Sequence, residues 1–122
     1  MSILTQKTLS KKITFSGVGI HTGIKVNMNI LPASPNSGIV FKRIDLKNKN
    51  LVYPYYNNVV DTTLCTTIEN NYGVKVSTIE HLMAAFLGLG IDNAVVELDS
   101  QEVPILDGSA RDFVKIFKDT GL

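Results

Sequence analysis

One stretch, Ser77–Asn93 (STIEHLMAAFLGLGIDN), constrains what this chain can fold into more than any other. Ser77 followed three residues later by Glu80 has the form of a capping box, which marks a helix start. Ile79, Leu82, Met83, Phe86 and Leu87 then share one helical face, and Gly88 and Gly90 supply the stop. Glu80 and His81 fall off that stripe, on a side shared with Ala84, Ala85 and Gly88. A solvated face ordinarily carries Lys, Glu or Gln there. Small residues predict instead close packing against this second face, or room for a ligand. The helix is expected to be two-sided, with its polar pair on the side that a sheet does not cover.

The remaining segments read as short strands. Thr5–Phe15 has Ile13 and Phe15 as apolar alternates, and Lys25–Ile30 alternates Val26, Met28 and Ile30 with Lys25, Asn27 and Asn29. Such alternation belongs to a half-buried antiparallel strand. Ser16–Gly23 (SGVGIHTG) is a glycine-punctuated turn and Leu31–Gly38 a loop. Ile39–Arg43 is a short strand, and Val52–Tyr56 is an edge strand because Pro54 cannot donate to a ladder. Leu64–Ile68 and Val74–Ser77 flank Glu69–Gly73 as a hairpin. Ala94–Leu98 follows the helix, and Glu102–Leu106 is a candidate further strand. A second helix opens on the capping Ser109 and carries Phe113, Ile116 and Phe117 on one face. The expected fold is α+β, a two-layer sandwich in which a mostly antiparallel sheet has two helices on one face. Gly121-Leu122 falls where the second helix would be capped, which predicts a domain boundary there.

A chain of 122 residues has the size of one domain. Its net charge of +1, without a basic run, argues against nucleic acid or an anionic membrane as partner. Its longest apolar stretch, Leu82–Ile91, is broken by glycine and far shorter than the roughly 20 residues of a transmembrane helix. The start lacks the basic-then-apolar order of a signal peptide, and Cys65 is the only cysteine, so a cytosolic location is expected.

Glu80-His81 is the pair most able to carry chemistry. Glu80 can serve as the capping carboxylate, as a general base for a water acidified by a metal, or as both. His81 as a metal ligand needs company, since catalytic zinc takes three protein ligands. The chain has two histidines, His21 and His81, one cysteine, and neither H-E-x-x-H nor C-x-x-C. A complete zinc site within it is therefore not expected, and co-ligands of His81 must come from elsewhere. His21 sits on a glycine turn with only a loose G-x-G. Asp107-Gly108-Ser109 reads as turn plus helix cap, Asp92-Asn93 as turn chemistry, and Cys65 as a small half-buried hydrophobe.

SGVGIHTG, DTTLCTT, VSTIEHLMAAFLGLGIDN and EVPILDGSARDFV, in this order, resemble the N-terminal domain of the UDP-3-O-acyl-N-acetylglucosamine deacetylase (LpxC) family from Gln6 to the end of the chain. The resemblance implies a zinc-dependent cytoplasmic hydrolase of Gram-negative bacteria. Such an enzyme removes the N-acetyl group of UDP-3-O-(hydroxyacyl)-N-acetylglucosamine in lipid A synthesis. It also implies two similar α+β domains packed helix layer to helix layer, with the active site between them. Residues 1–122 would be the first, and the C-terminal domain of the same enzyme the partner. By motif match Glu80 is the general base and His81 a zinc ligand. Leu64 and Cys65 line the site, and Ile20 borders the acyl-chain passage. The other two zinc ligands, a His and an Asp, have no counterpart here, so the resemblance implies an inactive fragment. Two rival readings follow from the residues. One is a non-catalytic binding or assembly module using the Ala84, Ala85 and Gly88 face. The other is a different metal hydrolase that completes its site by dimerisation.

Overall fold

In the computed structural model of the chain, residues 5–61, 65–105 and 111–121 are described. They form β1 (Ile13–Val18), β2 (Lys25–Pro32), β3 (Ile39–Arg43), β4 (Leu51–Val52), β5 (Val59–Asp61), β6 (Thr66–Glu69), β7 (Lys75–Ser77), α1 (Glu80–Leu89), β8 (Ala94–Leu98) and α2 (Arg111–Thr120). The strands make two sheets, one of five strands in the order β1-β2-β8-β3-β4 and one of three in the order β5-β6-β7. Every pairing is antiparallel except β3 with β8. The α+β class and the mostly antiparallel sheet are as expected. The separate small sheet is not.

Alternation decides the faces of the large sheet. Val26, Met28 and Ile30 of β2, Ile13 and Phe15 of β1, and Ala94, Val96 and Leu98 of β8 are all buried on one side. The opposite side is polar, and there the hydroxyls of Thr14 and Ser16 donate to the side-chain oxygens of Asn29 (2.9 Å) and Asn27 (3.1 Å). Both helices cover the apolar side. Leu82, Ala85 and Phe86 of α1 and Phe113 and Phe117 of α2 join the same core as Ile68 and Val76 of the small sheet. Phe117 stacks on Phe86 with centroids 5.3 Å apart, and Phe113 meets Phe15 edge-on at 5.3 Å.

The small sheet arises because β4 is only two residues long. Pro54 follows it, and a 3-10 turn at Tyr56–Asn58 turns the chain away from the large sheet. Two side chains stitch the sheets together. Arg43 Nη1 donates to the Lys75 carbonyl at 3.0 Å, and Asn70 Nδ2 donates to the carbonyls of Lys49 (2.8 Å) and Leu51 (3.1 Å). Helix α1 runs through Gly88 and ends at Gly90, one of the two glycines expected to stop it. Gly90 adopts φ +68°, its N–H bonds the Leu87 carbonyl, and the Ile91 N–H bonds that of Phe86.

Several expectations need correction. The Val52–Tyr56 edge strand is reduced to Leu51–Val52, since Pro54 and the 3-10 turn at Tyr56–Asn58 end the ladder. Leu87, placed on the core stripe, is 84% exposed, and Ala85, placed on the outer face, is buried. The helix is rotated so that Leu82, Ala85 and Phe86 face inward, leaving Ala84, Leu87 and Gly88 outside. Strand pairing begins at Ile13 rather than Thr5. The preceding segment instead uses Asp92 and Asn93, whose N–H groups reach the Lys7 carbonyl, while Asp92 Oδ2 accepts the Lys7 N–H at 2.8 Å. Those two residues therefore do more than make a turn. Residues 102–105 form no strand but two isolated bridges, Ser77 with Glu102 and Val18 with Ile105. Leu106 and the expected cap at Asp107-Gly108-Ser109 lie outside the described residues.

Candidate active site

The expected capping box does not form. Ser77 Oγ donates to the Gln101 carbonyl at 3.1 Å, and Ile79, which precedes the helix, makes no side-chain cap. Thr66 of β6 takes over through its backbone. Its carbonyl accepts the N–H of Thr78 at 2.8 Å and of Ile79 at 3.4 Å, and its own N–H donates to Glu80 Oε2 at 3.4 Å. A neighbouring strand thus anchors the two residues that lead into the helix. The geometry depends on Thr78, which has φ +60°. A β-branched residue rarely adopts this left-handed region, and such strain costs on the order of 1–3 kcal/mol.

Glu80 therefore enters the first turn with one oxygen held. The other, Oε1, is buried and has no hydrogen-bond partner among the described residues. Leaving a buried acceptor unsatisfied costs roughly 1–3 kcal/mol, and more for a charged group. An atom in that condition calls for a ligand or a functional reason. His81 follows directly on the helix, partly exposed.

The other predicted residues gather unevenly. Cys65 immediately precedes the Thr66 that binds Glu80, and its Sγ lies 3.7 Å from Thr67 Oγ1. It also borders a cleft of about 330 Å³ shared with His21, Thr22, Lys75 and Gln101. Ile20, on the β1–β2 turn, is 55% exposed. Leu64 lies outside the described residues.

Sequence reasoning missed Glu102. Its side chain is fully buried, accepting the Thr22 N–H at 2.8 Å, the His21 N–H at 3.1 and 3.2 Å, and the Thr78 hydroxyl at 2.6 Å. Its only signal in the sequence is an acidic residue heading the apolar run Val103-Pro104-Ile105. Burial pushes its carboxyl up, but the bonds from Thr78, Thr22 and His21 outweigh that and hold it below its ordinary 4.5. A carboxyl lowered by folding stabilises fully above its unfolded pKa, and that contribution is lost as pH falls through the folded value. Glu102→Gln is therefore expected to flatten the acid limb of the stability curve below about pH 4.5. Urea midpoints taken down through that range check this, and an unchanged acid slope in the variant would count against a held carboxylate.

Among the described residues no group of three or more His, Cys, Asp and Glu side chains could hold a metal ion. One imidazole beside a carboxylate whose Oε1 is buried and unpartnered among the described residues is chemically a partial site. It offers a single nitrogen donor and a proton acceptor, the ingredients of metal-assisted hydrolysis. Residues 6–122 match the family described as UDP-3-O-acyl N-acetylglycosamine deacetylase (LpxC), and the chain belongs to that family. Two proteins named UDP-3-O-acyl-N-acetylglucosamine deacetylase are similar to it. That of Haemophilus influenzae (strain PittEE) is 47% identical over 121 residues, covering 98% of this chain and 39% of the relative. That of Shewanella baltica (strain OS155 / ATCC BAA-1091) is 47% identical over 120 residues, with the same coverage. The chain thus spans well under half the length of these curated relatives.

Proposed function

We propose that this chain is the N-terminal domain of a two-domain, zinc-dependent deacetylase. The enzyme would remove the N-acetyl group of a UDP-3-O-acyl-N-acetylglucosamine in lipid A synthesis, in the cytoplasm. Membership of the family supports the reaction class. The observation that supports the site assignment is the buried Glu80 Oε1 with no partner among the described residues, one residue before His81. Zinc, when bound, polarises the amide carbonyl and makes water more acidic.

In this reading Glu80 Oε1 takes the proton of the attacking water. The water oxygen bonds to the acetyl carbon, and cleavage of the C–N bond, with the proton held on Glu80 passed to the departing nitrogen, leaves acetate and a free amine. The Thr66 N–H reaches Oε2 at 3.4 Å, a long contact that favours the rotamer presenting Oε1. His81 supplies one ring nitrogen to the metal, and the remaining ligands belong to the second domain. Cys65, Leu64 and Ile20 line the substrate's path. His81→Ala in the full-length protein is expected to weaken zinc binding by at least about 10–100-fold, the loss that even an outer-shell partner can cause. Metal analysis after dialysis reads this, and full zinc retention would remove His81 from the ligand set.

The second domain would cover the outer face of α1, where Ala84, Leu87 and Gly88 are exposed. The isolated chain is then expected to bind a hydrophobic dye or to self-associate. Leu87→Ser should reduce either effect while changing stability by less than about 0.5 kcal/mol. A monomer without dye binding at high concentration would argue against a missing partner domain.

A further inference from the structure

We propose that Glu102 is a positioning residue. It locks the turn that carries Thr78 to the loop that carries His21, and thereby fixes the direction in which Glu80 enters the site. The inference rests on the reading of Glu80 as the base. Residues 101–103 run beside the helix start, with Ser77 N–H bonded to the Gln101 carbonyl (2.8 Å) and Val103 N–H to that of Ser77 (3.1 Å). From this ledge the Glu102 side chain reaches in two directions. One oxygen accepts the Thr78 hydroxyl at 2.6 Å, and the other accepts the Thr22 amide at 2.8 Å.

The loop closes tightly around the carboxylate. A Cβ at Gly19 would lie 2.2 Å from Glu102 Oε1 and 2.5 Å from Thr22 Oγ1, so glycine is the residue that allows this approach. On the other side, Thr78 at φ +60° holds an unfavourable conformation through two bonds among the described residues, to the Thr66 carbonyl and to Glu102. Glu80 follows two residues later. Without the Glu102 acceptor the turn can relax, and the Thr66–Glu80 contact, already long at 3.4 Å, is the first to go. Such a shift moves the base and leaves His81 able to bind metal from the helix.

The test uses the full-length protein with Glu102→Gln, Thr78→Val and Thr78→Ser. Glu102→Gln places an amide donor among N–H and O–H donors, Thr78→Val deletes the hydroxyl, and Thr78→Ser keeps it. The first two are expected to lower kcat by about 10–100-fold, the scale of a small misplacement of a reacting group. KM should stay within about twofold, zinc content should be unchanged, and the Thr22 and Thr78 amides should exchange faster. Thr78→Ser is expected to recover most of kcat. Parental kcat in folded Thr78→Val, or a loss that Thr78→Ser shares, would overturn the proposal; if Glu102→Gln does not fold, Thr78→Val decides alone. Parental kcat in Glu80→Ala would sink the base reading instead. The lock itself is then read from amide exchange, and unchanged protection at Thr22 and Thr78 overturns it in either case.

Discussion

Glu80→Ala in the full-length protein is expected to lower kcat by about 10²–10⁴-fold, the usual contribution of a positioned general base, with zinc still bound. The reason is local. Glu80 Oε2 is engaged by the Thr66 N–H, whereas Oε1 is buried and unpartnered among the described residues, so the side chain gives up little of the bonding described when removed. A residue that only capped the helix would behave differently, since losing a cap costs about 1 kcal/mol of stability and leaves turnover intact. Steady-state kinetics with metal analysis separates the cases. Loss of zinc along with activity would make Glu80 a ligand, and loss of stability alone would make it a cap.

Phe117→Ala is the substitution expected to cost most in stability, about 3–5 kcal/mol. Phe117 is fully buried, stacks on Phe86 at 5.3 Å and lies edge-on to Phe15 at 6.5 Å, so it joins both helices to the large sheet. Whole domains are stable by only about 5–15 kcal/mol, and the deletion removes much of that margin. Urea unfolding should show a midpoint lower by more than about 1 M. A shift of a few tenths of a molar would mean that α2 is not part of the cooperative core.

Period and punctuation carried much of the fold. The Val26-Met28-Ile30 alternation, the Ala94–Leu98 strand, the glycine stop at Gly90 and the Phe113-Phe117 face are all local patterns, and each is found as read. What was missed depends on partners far away in the chain. Nothing near Val59 or Thr66 tells that their ladder leaves the large sheet, and the parallel pairing of β3 with β8 joins segments about fifty residues apart. Ser77-x-x-Glu80 has the form of a capping box, but the Gln101 carbonyl captures the serine hydroxyl and the Thr66 carbonyl holds the amides of Thr78 and Ile79, just before the helix. A tertiary contact displaced the local one. Glu102 was illegible for a related reason, since its donors come from Thr22, His21 and Thr78, distant in sequence. The Glu80-His81 pair stood out in the sequence as two polar residues beside small ones on a helix, and the structure adds that Glu80 Oε1 is buried without a partner among the described residues.

The central claim is that this chain contributes one base and one ligand to a metal site that it cannot complete. Zinc stoichiometry and affinity of the purified chain, with His81→Ala beside it, test that claim most directly. The account predicts weak binding or none for the chain alone, because three protein ligands are the usual requirement and only His81 is offered. Tight binding at a fixed ratio, abolished by His81→Ala, would mean that the chain completes a site by itself or by pairing with another copy, and the claim would be wrong.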